Sequence, residues 1–361
     1  VELGIVGMTM VGKTTLFNAL TGLSTATRAY ASSAKDTHRA AVKVPDERLD
    51  RLAALFAPKK VTPATVEYVD LAGLTAGSTE KKGLSPQFLG ALRNVDALVH
   101  VVRAFDNPNV PHVHETLDPL RDARELDYEF ALADLIIVET RLERLAKETR
   151  TTKNPALLHE QAILQRCQAI LTDGTPLREL AFDDEEARLI RGFRFLTDKP
   201  MLVVVNVGEG EEGDAALAPF ADWNGKPKVG VTSVCATMEM ELARLPAEDA
   251  KAFRADLGLM ESALSKMIRL SYTLLGLKTF LTAGDDEVRA WTVPARATAL
   301  EAAAAIHSDL ARGFIRCETI FWEELIAQGS YAKARSAGLL RLEGKEYIVR
   351  DGDVIVIRFS V

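Results

Sequence analysis

Cysteine is scarce in this sequence, with three residues among 361. Cys167, Cys235 and Cys317 are odd in number, widely spaced and in no CxxC arrangement, which excludes a disulfide framework and a zinc site built on paired thiols. Long apolar runs are also missing. None approaches the ~20 residues that a membrane helix needs, so no membrane partner is expected and a cytoplasmic location is the default expectation. An excess of positive charge is missing as well: the formal net charge is −7. The chain as a whole therefore does not attract nucleic acid, no DNA specificity is expected, and any RNA contact must come from a local patch. What remains, 47% apolar and 26% charged residues, is the balance of a soluble globular chain with room for two or three domains.

Residues 7–14 read GMTMVGKT, the P-loop pattern, between an apolar strand at 3–6 and an apolar helical run through Leu16, Phe17 and Leu20. Gly7 and Gly12 let backbone N–H groups turn inward, Lys13 reaches the outer phosphates as a point charge, and the Thr14 hydroxyl suits Mg²⁺. The phosphate-binding set is thus Gly7, Met8, Thr9, Met10, Val11, Gly12, Lys13, Thr14 and Thr15, and a nucleoside triphosphate is the expected ligand.

Five apolar, largely β-branched runs, 3–6, 66–69, 97–102, 201–205 and 229–234, predict an α/β fold with a mainly parallel sheet and crossover helices. In such sheets ligands collect at the carboxyl ends of the strands. There stand the phosphate loop, Asp70-Leu71-Ala72-Gly73, Asn206-Val207-Gly208-Glu209, and Cys235-Ala236, the motif order of a G-protein-like domain. Asp70 and Gly73 fit DxxG, with Asp70 expected to join Thr14 in holding Mg²⁺ and the Gly73 N–H to sense the terminal phosphate. The base-binding candidates are Asn206, Val207, Glu209, Ser233, Cys235 and Ala236.

Two positions depart from an ordinary GTPase. Leu74 stands where small GTPases place a glutamine to orient the attacking water, and it offers no polar atom, so hydrolysis must use another group or be slow. The guanine-reading motif NKxD is here NVGE. The longer Glu209 carboxylate must shift to make the paired contact with guanine, and each charge-assisted bond lost is worth ~1.5–3 kcal/mol. ATP is therefore favoured over GTP, with the Asn206 amide and the Val207 carbonyl as candidate partners for adenine.

These motifs resemble the YchF-type Obg-like ATPases, with Met10 and Ala34 marking a diverged member. The resemblance rests on GIVG at 4–7, VPDERLD at 44–50, DLAGL at 70–74, HVVRAFDNPNVPHV at 100–113, NxxE at 206–209, FLTAGDDEVRAWTVP at 280–294, AAIHSDLARGFIRCE at 304–318, and the ending from Glu343. It implies ATP hydrolysis in preference to GTP, an inserted helical coiled-coil arm, a C-terminal β-grasp TGS domain, and association with ribosomes or ribosomal RNA. It also makes His112 the candidate for the role of the missing glutamine, while the residue taken by itself, an imidazole near a strand end, reads equally as a hydrogen-bonded structural group or an exposed loop residue. The sequence departs from the family at Met10, where an asparagine is usual, and at Ala34, matched to a first-switch threonine, with Ser33 and Thr37 as neighbouring substitutes. His100, within an apolar strand, reads as a hydrogen-bonded core residue, and His114 as exposed.

Between the third and fourth runs, Ala131, Leu135, Val138, Leu142 and Leu145 alternate by four and three as a coiled-coil seam, and Leu157, Leu164 and Leu171 repeat on a return helix. Arg141, Arg144, Lys147, Arg150 and Lys153 cluster towards the tip, either as a solvated face or as a basic patch for rRNA phosphates. Asp351-Gly352 between 348–350 and 354–359 predicts a tight turn joining two strands. The expected organisation is a nucleotide-binding domain over 1–125 and 193–277, a helical insertion over 126–192 and the TGS domain over 278–361. Three functions are compatible: a slow ATPase switch, a GTPase of the same fold, and a non-hydrolysing nucleotide-dependent adaptor.

Overall fold

The computed structural model describes residues 1–22, 38–71, 84–114, 116–152, 154–211, 213–256 and 261–360. Ser33, Ala34, Thr37, Gly73, Leu74 and Lys153 lie outside them. By its internal packing the chain divides into two units, Val1–Val42 with Glu67–Met267 and Lys43–Val66 with Ile268–Val361.

The first unit holds β1 (Glu2–Val6), α1 (Lys13–Gly22), β2 (His38–Lys43), β4 (Thr65–Asp70), α3 (Pro86–Asn94), β5 (Ala97–Arg103), β6 (Met201–Asn206) and β7 (Val229–Val234), numbering elements along the whole chain. Its sheet runs β2-β4-β1-β5-β6-β7. The pairs β1–β4, β1–β5, β5–β6 and β6–β7 are parallel, with Ile5 opposite Asp70 and Arg103 opposite Asn206. Every residue of β5 and β6 is buried, as the continuous apolar character of these strands requires when both sheet faces are covered. The parallel register brings the ends of β1, β4, β5, β6 and β7 to one side of the sheet, and the motifs follow those ends.

The insertion consists of α4 (Pro119–Thr151), α5 (Pro155–Thr172) and α6 (Asp184–Ile190). Asp118 and Asn154 cap α4 and α5, each followed by proline, a residue whose fixed φ and missing N–H suit the first helical turn. Ala131, Val138 and Leu145 pack on Ile163, Leu164, Cys167 and Leu171, with Leu135, Leu142 and Leu157 at the margin. The basic stripe is partly neutralised: Arg141 donates to both Glu160 oxygens at 2.7 and 2.8 Å and to Glu148 at 3.3 Å. The unit also contains α7 (Gly213–Leu217), α8 (Ala236–Leu242) and α9 (Ala247–Asp256), and α10 (Ala263–Leu274) carries the chain into the second unit.

The second unit contains α2 (Glu47–Phe56), β3 (Lys60–Thr62), β8 (Leu277–Ala283), β9 (Glu287–Pro294), α11 (Ala299–Ile306), α12 (Ser308–Arg312), β10 (Phe314–Phe321), α13 (Trp322–Gln328), α14 (Tyr331–Ser336), β11 (Arg341–Glu343) and β12 (Asp353–Phe359). Its sheet runs β11-β10-β12-β8-β9-β3. Phe280, Val293, Ala299, Ala302, Ala303, Phe314 and Ile355 form its core under α11. Residues 43–66, which chain order assigns to the nucleotide domain, cluster here instead. β3 lies parallel to β9, the amphipathic α2 buries Leu49 and Leu52, and Arg48 reaches Asp351 at 2.6 Å.

The turn at Asp351-Gly352 is present, with Gly352 at φ 88°. The expected strand before it is not, because Val349 donates its N–H to Ala297 and Ile348 makes only an isolated bridge to Thr298. Asp351 instead accepts the Thr279 N–H at 2.8 Å and so pins β8. All three cysteines are free and buried. Burial pushes the Cys167 and Cys317 thiols up to about 12 and about 11, which makes them packing groups and not nucleophiles.

Candidate functional site

The chain turns sharply where β1 ends, and two glycines make the turn possible. Gly7 has φ 145° and a Cβ there would stand 2.3 Å from the Val101 carbonyl oxygen; Gly12 has φ 96° and a Cβ there would stand 2.2 Å from Asn206 Nδ2. No side chain fits either place. Met10, between them, is exposed and has φ 60°, a conformation that costs a non-glycine residue free energy. Helix α1 starts at Lys13, so the N–H groups of Lys13, Thr14 and Thr15 occupy a first turn that supplies them no intrahelical acceptor and that attracts anions.

Lys13 is buried, and its Nζ donates to the Gly7 carbonyl at 2.9 Å and to the Met8 carbonyl. Burial pulls its ammonium down to about 8, against the opposing pull of Asp70. Thr14 Oγ1 donates to Asp70 Oδ2 at 3.5 Å, because β4 and β1 are register partners and both end at this edge. A hydroxyl and a carboxylate are hard oxygen donors that fit Mg²⁺. Among the described residues no group of three or more His, Cys, Asp or Glu could hold a metal, so such an ion would complete its shell with phosphate and water oxygens.

On the opposite side, Asn206 is buried and joins three loops. Its Nδ2 donates to the Val11 carbonyl at 2.9 Å, and its Oδ1 accepts the Ala236 N–H at 3.0 Å. One Nδ2 proton remains for a ligand. The Val207 side chain packs in the core of the sheet and its N–H donates to Val234, so the position where guanine readers carry lysine is turned inward. Glu209 is exposed. Gly208 donates its N–H to Glu211 Oε2 at 2.7 Å, a bond that closes the loop. Sequence reasoning missed Glu211, which no motif marks. Ser233 Oγ lies against Gly213, where a Cβ would stand 2.4 Å away. Cys235 is buried at the start of α8, and burial raises its thiol above the ordinary range.

The loop after β5 is organised by Arg103, a buried guanidinium that donates to the carbonyls of Phe105, Asn107, Val110 and Pro111 at 3.0–3.3 Å. It also lies 4.4 Å over the Phe105 ring. The sign that could have found it is an arginine at the end of an otherwise apolar strand. His112 follows, and its side chain is 8% exposed. Nδ1 lies 3.1 Å from both the backbone nitrogen and the carbonyl oxygen of His114, and Nε2 lies 3.1 Å from Asp122 Oδ2, so both ring nitrogens are engaged. His114 itself meets Glu125 at 3.0 Å. His100 is buried as expected, but neither ring nitrogen has a hydrogen-bond partner among the described residues. Desolvation, with Arg178 and Lys13 nearby, pulls it down to about 3 and keeps it neutral. A cavity of about 980 Å³ opens beside Gly7, Met8 and Thr9 and is walled by Arg121, Arg124 and Trp223.

Residues 2–141 match the family model described as a 50S ribosome-binding GTPase. Residues 277–360 match YchF-GTPase_C, described as a protein of unknown function. The sequence is 42% identical to the ribosome-binding ATPase YchF of Bacillus subtilis and, separately, to that of Haemophilus influenzae, in each case over 99% of this chain and 99% of the relative. The structure of the Schizosaccharomyces pombe YchF GTPase is similar at a TM-score of 0.88 and 33% identity, covering 99% of this chain and 97% of that one. Relatives 42% identical along the full length of both chains show the family: the chain belongs to the YchF family.

Proposed function

We propose that this chain is a magnesium-dependent ATPase that prefers ATP to GTP, turns over slowly and acts as a nucleotide switch in association with the ribosome. The observation that carries the reading is the preformed cradle: Gly7 and Gly12 fit no other residue, Lys13 is buried at the loop, and Thr14 faces Asp70. In this reading Lys13 and the first-turn N–H groups hold the outer phosphates, Thr14 and Asp70 would hold a Mg²⁺ that would offset phosphate charge, and water adds to the terminal phosphorus as its bond to ADP breaks, the water's proton passing to the phosphate released. Leu74 gives that water no polar partner, which accounts for slow turnover, and His112 is the group proposed to orient it. Ribosome association rests on the names of the bacterial relatives.

A GTPase reading has its own support, because the fission-yeast structure and the N-terminal family model are named for GTP hydrolysis. Glu209 separates the two. Since it is exposed, Glu209→Asp should leave the fold intact. On the ATPase reading it raises GTP affinity about tenfold by restoring the shorter carboxylate that makes two bonds to guanine. Calorimetry with both nucleotides reads this, and GTP binding tighter than ATP in the unaltered protein would reject the preference. Val207→Lys is the poorer test, since that side chain lies in the core.

The lowered Lys13 ammonium adds a pH signature. Phosphate oxygens favour its charged form, so the bound-state pKa lies above the free value of about 8. Binding near pH 9 should therefore take up a proton, and affinity should fall as pH rises through about 8. At pH 6 no uptake is expected. Titrations in buffers of different ionisation enthalpy measure it, and equal uptake at both pH values would refute the assignment.

A further inference from the structure

We infer that Asp122 is a positioning residue for hydrolysis: it latches His112 in a resting orientation, and release of that bond makes the imidazole available to the attacking water. The inference rests on the reading of His112 as the water-orienting group and adds what controls it. A neutral imidazole orients water through one ring nitrogen left open to it. Here neither nitrogen is open, because Nδ1 sits 3.1 Å from the His114 backbone nitrogen and carbonyl oxygen and Nε2 sits 3.1 Å from the Asp122 carboxylate, which can only accept. In this placement the ring cannot act.

The latch is built and not incidental. Asp122 is 1% exposed, and its other oxygen accepts from Arg121 Nε at 3.1 Å and Nη2 at 2.8 Å. Arg121 also grips Thr116, through Oγ1 at 3.1 Å and the carbonyl at 2.8 Å, so one guanidinium ties the carboxylate to the segment just past His114. From the other side, Arg103 fixes the carbonyls of Asn107, Val110 and Pro111. The ring is thus held from both ends of its loop. Arg121, which holds the Asp122 carboxylate, lines the same cavity as Gly7, Met8 and Thr9. Asp122 belongs to the first turn of α4, the helix that continues into the arm, so a shift of that turn moves the acceptor away from His112.

Turnover then scales with the fraction of molecules whose latch is open, and weakening a charge-assisted bond raises that fraction. Single-turnover ATP hydrolysis of the full chain is compared for the unaltered protein, Asp122→Asn, His112→Ala and the double variant. The inference expects Asp122→Asn to raise the rate about three- to tenfold with KM for ATP unchanged, His112→Ala to lower it, and the double variant to match His112→Ala. A purely structural role for Asp122 would not produce a gain that vanishes with the imidazole. An unchanged or lower rate for Asp122→Asn, with His112→Ala still slow, overturns the latch alone. An unchanged rate for His112→Ala overturns the water-orienting reading itself. Should Asp122→Asn fail to fold, the unaltered protein decides. Imidazole nitrogen NMR expects a His112 Nε2–H in slow exchange with water in the nucleotide-free state, and fast exchange refutes the latch.

Discussion

Lys13→Ala is expected to weaken Mg-ATP binding by about a hundred- to a thousandfold. Each charge-assisted contact to phosphate is worth ~1.5–3 kcal/mol, and an ammonium reaching two phosphates supplies about 3–4 kcal/mol in all. Stability should change little, because the variant loses bonds to the Gly7 and Met8 carbonyls but also sheds the cost of a buried charge. The pairing of a large binding loss with a nearly constant melting temperature distinguishes a ligand-holding lysine from a core residue. Calorimetry and thermal unfolding of the same preparation read both. Unaltered affinity would contradict the assignment of the loop.

Gly12→Ala should fail differently. The added methyl would meet Asn206 Nδ2 at 2.2 Å, at a backbone φ of 96°. Strain of ~1–3 kcal/mol adds to the loss of one or both Asn206 bonds, to Val11 and Ala236, at about 1–3 kcal/mol for a buried group left unpaired. Nucleotide binding should be abolished and the melting temperature lowered by about 5–15 °C, given roughly 2–4 °C per kcal/mol for a unit of this size. Gly225→Ala is the control, since a Cβ there meets nothing within 4 Å among the described residues. If Gly12→Ala binds ATP normally, the strut is not what shapes the loop.

The parts of this molecule that repeat a physical pattern were readable in its sequence. Continuous β-branched runs gave β5 and β6, buried on both faces, and the four-three spacing of Ala131 to Leu145 gave the seam of the arm. The phosphate loop was legible because glycine spacing, lysine and hydroxyl each answer a requirement that the backbone cannot meet otherwise. What the sequence hid depends on contacts between distant positions. Residues 43–66 carry no sign that β3 pairs with β9, since a three-residue strand has little periodicity to display. The strand expected before Asp351 is missing because Val349 donates its N–H to Ala297 and Ile348 makes only an isolated bridge to Thr298. Asn206 was read as a base contact, and its buried amide also ties Val11 to Ala236. Nothing in the spacing of His112 and Asp122 marks them as partners; only the turn of the loop into α4 brings them together.

Single-turnover hydrolysis of ATP and GTP mixed in equal amounts, first with Mg²⁺ and then with the metal chelated, tests the central claim most directly. The account predicts that ATP is consumed at least about tenfold faster than GTP, a gap of roughly 1.4 kcal/mol, and that chelation stops both. GTP consumed as fast as ATP, or hydrolysis that persists without the metal, would contradict it.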